Sequence, residues 1–336
     1  MSKTILYIGN NLSKKTGYIS SMDDLCHLFR ENKYTIIQSS DKSNKFFRIL
    51  DMLFTIVFYS KKIDFVLIDV FSTFYFYGAF LTSQWARILG LKYIPILHGG
   101  NLPNRIENSK RLSNFIFRNS YKNIAPSNYL KYVFEKKGYS TVLVPNILNI
   151  ENYNFRERLY PQPKILWVRA FRHLYNPTMA IQVLYYVKKK HPKAVLCMVG
   201  PEKDDSIDEV KSIVKKYNLE NSVEFTGVLS KEKWIKKSHN YDIFINTTNF
   251  DNTPVSVMEA MALGLVVVST NVGGMPYLIS DKQDGVLIPE KNPKKMANEI
   301  KLILNGNYPQ LTQNARRKVE GFSAEKVIAR WNEILY

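Results

Sequence analysis

Short runs rich in Val, Ile and aromatic residues recur along the chain, each followed by a longer stretch with helical spacing. The strand candidates are Ile5–Ile8, Tyr34–Gln38, Phe65–Val70, Tyr93–Leu97, Asn123–Ala125 and Thr141–Val144, then Lys164–Val168, Ala194–Val199, Ser222–Thr226, Tyr241–Asn246, Leu265–Ser269 and Gly285–Ile288. Most lack apolar/polar alternation, as strands covered on both faces do. Strand–helix alternation implies parallel sheets joined by right-handed crossovers. The runs form two series of six, separated by "PNILNIENYNFRERLYPQPK" (residues 145–164), a polar stretch with three prolines. The expectation is α/β: two doubly wound, Rossmann-like domains, residues 1–150 and 151–321, facing across a cleft. Residues 322–336 read as a terminal helix capped by Ser323, with Lys326 where a capping box places Glu or Gln.

A length of 336 residues, 45% hydrophobic and 23% charged, fits two folded domains. Two cysteines, Cys26 and Cys197, are too few for a disulfide framework or a zinc site, which points to a reducing compartment. The first residues lack a signal-peptide pattern, so the expected location is cytoplasmic. Val70–Ala86 is a long uncharged, aromatic-rich stretch and falls short of the roughly 20 apolar residues that span a bilayer, so it reads as buried or interfacial. The net charge is +18. Lys42–Lys62 brackets an aromatic and aliphatic stretch with basic residues, a pattern that lies on anionic lipid or forms a core helix with solvated lysines. Nucleic acid is the other partner class for such charge, but no helix-turn-helix, zinc-finger or RNP pattern is present.

Open α/β sheets bind ligands beyond the carboxyl ends of their strands. Gly9, "HGGN" (98–101), Arg169, Gly200-Pro201, Gly227 and "TTNFDNTP" (247–254) all follow strand candidates. In "DNTPVSVMEAMALGLVVVSTNVGG" (251–274), Thr253 reads as an N-cap, Pro254 as the first helical residue and Gly264 as the stop. The free amides of Val255, Ser256 and Val257, with the helix dipole, would receive a phosphate. Asp251 lies just outside that helix. Glu259 lies about five residues inside, roughly 7–8 Å along the axis. Acids so separated cannot share a proton, but they can bracket a ligand with a diphosphate in its middle and hydroxyls at both ends. Arg169 would neutralise the diphosphate.

At these residues the chain resembles the retaining glycosyltransferases of GT-B fold marked by a Glu-x7-Glu motif, the glycosyl transferases of group 1. Asp251–Gly274 carries most of the resemblance; "HGGNLPNR" (98–105), "APSNYL" (125–130) and "PNILN" (145–149) share it. The resemblance implies that the second domain binds a UDP- or GDP-type nucleotide-diphosphate sugar, with Glu259 on the ribose. Asp251 and the amides of Asn252, Thr253 and Pro254 would hold the sugar. Val255, Ser256 and Arg169 would hold the diphosphate, Gly17 would approach it, His98 would lie near the transferred sugar, and the base would rest near Gly227 and Val228. Asp251, Arg169 and His98 are then the catalytic candidates. It further implies no cofactor, no essential metal, retention of anomeric configuration and a terminal helix crossing back to the first domain. Two motif features depart from the family. Asp251 stands where the first Glu is usual. The Lys usual about six residues after the arginine is missing: Leu174, Tyr175 and Asn176 occupy that region, and Arg172 is the candidate replacement.

The leading functional reading is transfer of a sugar to a lipid-linked glycan in surface polysaccharide or lipopolysaccharide synthesis, at the inner face of the cell membrane. A nucleotide-sugar 2-epimerase of the same fold needs further acids, which the sequence does not place. A nucleic-acid-binding protein leaves Asp251 and Glu259 unexplained. A dinucleotide oxidoreductase is disfavoured because "GNNLSKKTG" (9–17) is not Gly-x-Gly-x-x-Gly and no acid ends the second strand.

Overall fold

The computed structural model describes residues 3–9, 20–42, 44–99 and 101–336. The chain divides into two compact units: one runs to Ile147 and also includes Phe322–Tyr336, the other spans Leu148–Gly321.

In the first unit β1 (Thr4–Ile8), α1 (Ser21–Glu31), β2 (Thr35–Ser39), α2 (Lys45–Tyr59), β3 (Phe65–Val70), α3 (Tyr75–Ile88) and β4 (Lys92–Leu97) alternate. After them come α4 (Leu102–Asn108), α5 (Lys110–Phe117), β5 (Asn123–Ala125), α6 (Asn128–Lys136) and β6 (Thr141–Leu143). The second unit runs β7 (Lys164–Val168), α7 (Pro177–Lys188), β8 (Val195–Val199), α8 (Ser206–Lys216), β9 (Val223–Gly227), α9 (Lys231–Ser238) and β10 (Ile243–Asn246). It continues with α10 (Val255–Ala262), β11 (Val266–Thr270), α11 (Met275–Leu278), β12 (Val286–Ile288), α12 (Pro293–Leu304) and α13 (Leu311–Glu320). Last comes α14 (Ala324–Leu335). All twelve strand candidates are strands, with ends shifted by a residue or two.

Both sheets are parallel and six-stranded, in the orders β2-β1-β3-β4-β5-β6 and β12-β11-β10-β7-β8-β9. Each order reverses direction once, between β1 and β3 in the first sheet and between β7 and β10 in the second. There the crossover helices leave towards opposite edges and open a crevice at the strand ends. The missing alternation has its explanation here: β3 (FVLIDV) and β11 (VVVST) are buried at every position, because helices cover both faces.

The first unit has a core on each side of its sheet. Met52, Ile56, Phe76, Phe117 and Phe134 fill one side, beneath α2, α3, α5 and α6. Leu25 and Phe29 of α1 fill the other with Trp331 and Ile334 of α14. Trp331 meets Phe29 edge-on with centroids 5.4 Å apart, and the Tyr34 hydroxyl donates to Asn332 Oδ1 at 2.6 Å. The terminal helix therefore completes the first unit. Its cap is the expected one, Ser323 Oγ accepting from the Lys326 amide.

The proline-containing stretch before β7 is not a free tether. Arg158 is buried and donates to the Leu263 and Tyr241 carbonyls, Arg156 pairs with Asp242, and Tyr153 is buried. Arg156 and Arg158 anchor this polar segment to the second unit by satisfying backbone carbonyls that would otherwise be buried unpaired, and the Tyr153 hydroxyl donates to Glu259 Oε1. Both cysteines are free and buried, and burial pushes the Cys26 thiol up to about 12 and that of Cys197 to about 11. Neither is available as a thiolate at neutral pH.

Candidate functional site

At the point where the second sheet reverses, the chain leaves β7 at Arg169 and β10 at Thr247. The two exits are tied together. Trp167 Nε1 donates to Thr247 Oγ1 at 3.0 Å, Thr247 Oγ1 donates to the Tyr175 carbonyl at 2.9 Å, and the Asn249 amide donates to the Leu174 carbonyl at 2.8 Å. Arg169 forms an ion pair with Asp251 and stacks its guanidinium 4.4 Å from the Tyr175 ring centre. Burial holds the Arg169 pKa below its usual value, yet the group stays cationic at neutral pH. Its Nε is buried with no hydrogen-bond partner among the described residues.

Three glycines let backbones approach here. A Cβ on Gly200 would overlap the Arg169 carbonyl; Cβ atoms on Gly273 and Gly274 would overlap the carbonyls of Asp251 and Asn252. The Gly274 amide donates to the Asp251 carbonyl at 2.8 Å. The Gly-Gly pair of "STNVGG" is thus the floor on which the Asp251 loop rests.

Helix α10 begins at Val255, with Pro254 as its cap in extended conformation and no side-chain cap. This corrects the sequence reading of Thr253 as N-cap and Pro254 as first helical residue; the chain turns one residue later. The Val257 and Met258 amides both bond to the Pro254 carbonyl, at 3.1 and 3.3 Å, so Val257 is not a free donor and the open amides belong to Val255 and Ser256. A second correction concerns the loop: Pro254 has no N–H, and the Asn252 amide already donates to Asp251 Oδ1 at 2.8 Å. Of the three amides expected there, Thr253 alone is left. Ser256 Oγ is buried at this helix start without a partner among the described residues.

Glu259 is 6% exposed, one turn inside α10. Its Oε1 accepts from the Tyr153 hydroxyl at 2.7 Å and pairs with Lys231 Nζ at 3.3 Å. Burial raises its pKa; the Tyr153 hydrogen bond and the Lys231 charge oppose that rise. Tyr153 and Lys231 escaped the sequence reading. Lys231 follows Ser230, the N-cap of α9, a detectable helix start, but nothing in one sequence pairs that start with Glu259.

Gly227, at positive φ, ends edge strand β9. It joins the group through Gly200, whose amide donates to the Gly227 carbonyl at 3.0 Å while the Arg169 amide donates to Val199. Val228 is 64% exposed, an apolar surface at that edge. Arg172 is not brought into the Arg169–Asp251 group: it is exposed and makes no ion pair among the described residues. Asn176 adopts the left-handed conformation before Pro177 and caps the start of α7. Those steric demands suit Asn and leave the local turn without a lysine.

In the first unit, His98 follows β4 and is buried, with Nε2 2.8 Å from Asp69 Oδ1. The Tyr7 hydroxyl donates to the same oxygen at 2.9 Å, and Phe71 stacks on the imidazole at 4.9 Å. Burial, then the Asp69 charge, raises the Tyr7 pKa well above its usual value, so Tyr7 remains a donor. Gly9 is small because a Cβ there would overlap the Asp69 carboxylate. Asp69 is a residue the sequence reading missed; its one signal was a carboxylate inside the apolar run "FVLIDV". Gly17 lies outside the described residues.

The sequence matches the glycosyl transferases group 1 family over residues 149–319, half of the chain, which takes in β7 to β12 and every second-unit residue of the candidate site named above. The chain belongs to this family. Among curated group 1 relatives, it is 27% identical over 201 residues to an uncharacterized glycosyltransferase of Haemophilus influenzae, covering 56% of this chain and 55% of that one. It is 24% identical over 270 residues to the amylovoran biosynthesis glycosyltransferase AmsK of Erwinia amylovora, covering 75% and 66%. With the putative colanic acid biosynthesis glycosyltransferase WcaL of Escherichia coli, identity is 28% over 130 residues, 36% of this chain and 32% of WcaL. The chain thus spans about half the length of the Haemophilus relative, a third of WcaL and two thirds of AmsK. Solved structures match nearly end to end. Sucrose-phosphate synthase of Thermosynechococcus elongatus has a TM-score of 0.76 at 14% identity, covering 99% and 98% of the two chains. Anabaena HepE in complex with UDP has 0.76 at 15%, covering 100% and 99%. These likenesses establish the GT-B fold for this group 1 family member.

Proposed function

We propose that the protein transfers a sugar from a nucleotide-diphosphate sugar to a glycan acceptor, with retention of configuration, in surface polysaccharide or lipopolysaccharide synthesis. The observation that carries this reading is a pair of buried donors without partners among the described residues, Arg169 Nε and Ser256 Oγ, at the reversal point of the second sheet. Buried polar groups are rarely left unpaired, and orphans at a helix start beside an arginine are what a diphosphate satisfies. HepE, of the same fold, has been crystallised with UDP and with UDP-glucose, which favours a uridine donor.

In this reading the diphosphate takes the Val255 and Ser256 amides and the Arg169 guanidinium. Glu259 Oε2 accepts the ribose hydroxyls, while Oε1 is held by Tyr153 and Lys231. Asp251 turns from Arg169 towards the sugar. The bond from the anomeric carbon to the diphosphate oxygen breaks, and Arg169 stabilises the charge that develops there. The acceptor oxygen bonds to the same face of the anomeric carbon, and its proton passes to the departing diphosphate. His98, oriented by Asp69, binds a sugar hydroxyl. The reading includes no cofactor, no essential metal and an acceptor presented at the cytoplasmic face of a membrane. Among the described residues no helix is long and apolar enough to cross a membrane.

Calorimetry of the purified protein against UDP, GDP, ADP and CMP, with and without magnesium, tests the donor site. One nucleoside diphosphate should bind without metal, and Glu259→Gln should weaken it about tenfold or more. Equal affinity in the variant removes Glu259 from the site.

A further inference from the structure

The first unit leaves a large apolar surface uncovered. On α2, Phe46, Phe47, Phe54 and Phe58 are 65, 61, 70 and 65% exposed, with Leu50 and Val57 between them. On α3, and at Phe74 just before it, the residues Phe74, Tyr77, Leu81, Trp85 and Ile88 recur at helical spacing and are 41–72% exposed. Phe115 of α5 extends the row: it is 48% exposed and meets Phe80 of α3 at 6.2 Å. All three helices pack on the same side of the first sheet, where their inward residues share one core. So many exposed aromatic rings on neighbouring helices exceed the scattered apolar residues of an ordinary surface.

Charge decides what covers this surface. The three helices contain a single acid, Asp51, half-buried with Oδ2 3.5 Å from Ser39 Oγ. Exposed cations ring the apolar area: Lys42, Lys61, Lys62, Arg87, Lys110 and Arg111. Beside α5 a pocket of about 290 Å³ is lined by Lys110, Arg118 and Lys137 with Asn114, Tyr139 and Glu107. A second copy of this chain would bring cation against cation at this rim. Rings at the centre, cations at the edge and a basic pocket alongside fit an interface with anionic headgroups above apolar chains.

We propose that the outer face of α2, α3 and α5 docks the protein onto an anionic lipid bilayer, with Phe54, Phe58 and Trp85 immersed at the headgroup boundary and the Lys/Arg rim against lipid phosphates. This sharpens the membrane-presented acceptor of the proposed function and rests on that reading for its purpose, not for its physical basis. The helices lie on the surface rather than cross it.

The test is co-sedimentation of the full chain with vesicles of phosphatidylcholine alone and with about one third phosphatidylglycerol, at low and high salt. Binding should require the anionic lipid and fall with salt. Phe54→Ser/Phe58→Ser should reduce vesicle partitioning at least about tenfold. Both side chains are mostly exposed, so the fold should survive, and nucleoside-diphosphate affinity by calorimetry should equal that of the unmodified protein. Absence of binding to anionic vesicles, or equal binding by the variant, overturns the proposal. So does a concentration-dependent dimer in scattering that the same substitutions abolish, since the surface would then be covered by a second copy. Donor affinity is read separately, so failure of the docking surface and failure of the donor site remain distinct.

Discussion

The two sheets reverse direction in the same way and furnish the two crevices differently. In the second unit the crevice holds formal charges on stiff supports: Arg169 against Asp251, with glycines at 200, 273 and 274 admitting backbone directly beneath them. In the first unit two groups converge on one carboxylate oxygen: Tyr7 and His98 both reach Asp69 Oδ1. The former arrangement suits a fixed, highly charged group such as the diphosphate of the proposed donor. The latter aims an imidazole ring. Preorganised charge and an oriented ring are different tools, and each sheet furnishes one of them.

Substitutions can break this contrast, starting with the most severe. Trp331→Ala empties the α1–α14 core of the first unit and should cost about 3–5 kcal/mol, seen as loss of hydrogen-exchange protection in the first unit while the second retains its own. Arg169→Ala should lower sugar transfer by about 10²–10³-fold and leave Asp251 without its ion-pair partner; transfer within tenfold of the parent would remove Arg169 from the chemistry. His98→Ala should lower transfer by about 10–10²-fold at unchanged nucleotide affinity. A parallel loss of affinity would show that the first unit also grips the donor. Glu259→Gln sharpens the contrast through pH. Burial holds the folded pKa of Glu259 above the ordinary glutamate value, so the folded state keeps its proton after the unfolded state has lost it. The Glu259 contribution to stability is therefore present at low pH and lost as pH rises through the folded pKa. The melting temperature should fall over that window in the parent and not in the variant.

The fold was legible in the sequence because doubly covered strands are apolar at most positions, on both faces, and the resulting runs stand out from the helical stretches between them. The candidate site was legible where chemistry and punctuation coincide: Arg169 directly after a strand, Asp251 in a loop, Glu259 in an apolar helix. It was illegible where contacts join distant segments. Asp69 reads as an odd acid in β3 until Tyr7 and His98 arrive from β1 and the end of β4. Tyr153 and Lys231 converge on Glu259 from a polar stretch and a solvated helix, and only the folded chain brings them together. The helix start was misplaced because Thr-Pro is an ordinary cap-and-N1 pair, whereas here the glycine floor beneath Asn252 holds the chain extended through Pro254.

Helix α14 belongs to the first unit yet follows the second in the sequence. On the ribosome, the second unit is contiguous and can close its own core as soon as Gly321 has emerged. The first unit, begun earlier, must wait with Leu25, Phe29 and Tyr34 uncovered until Trp331 arrives. The half that is made first is therefore finished last, and its exposed half-core is where a chaperone, or a neighbouring nascent chain, would first find a hold.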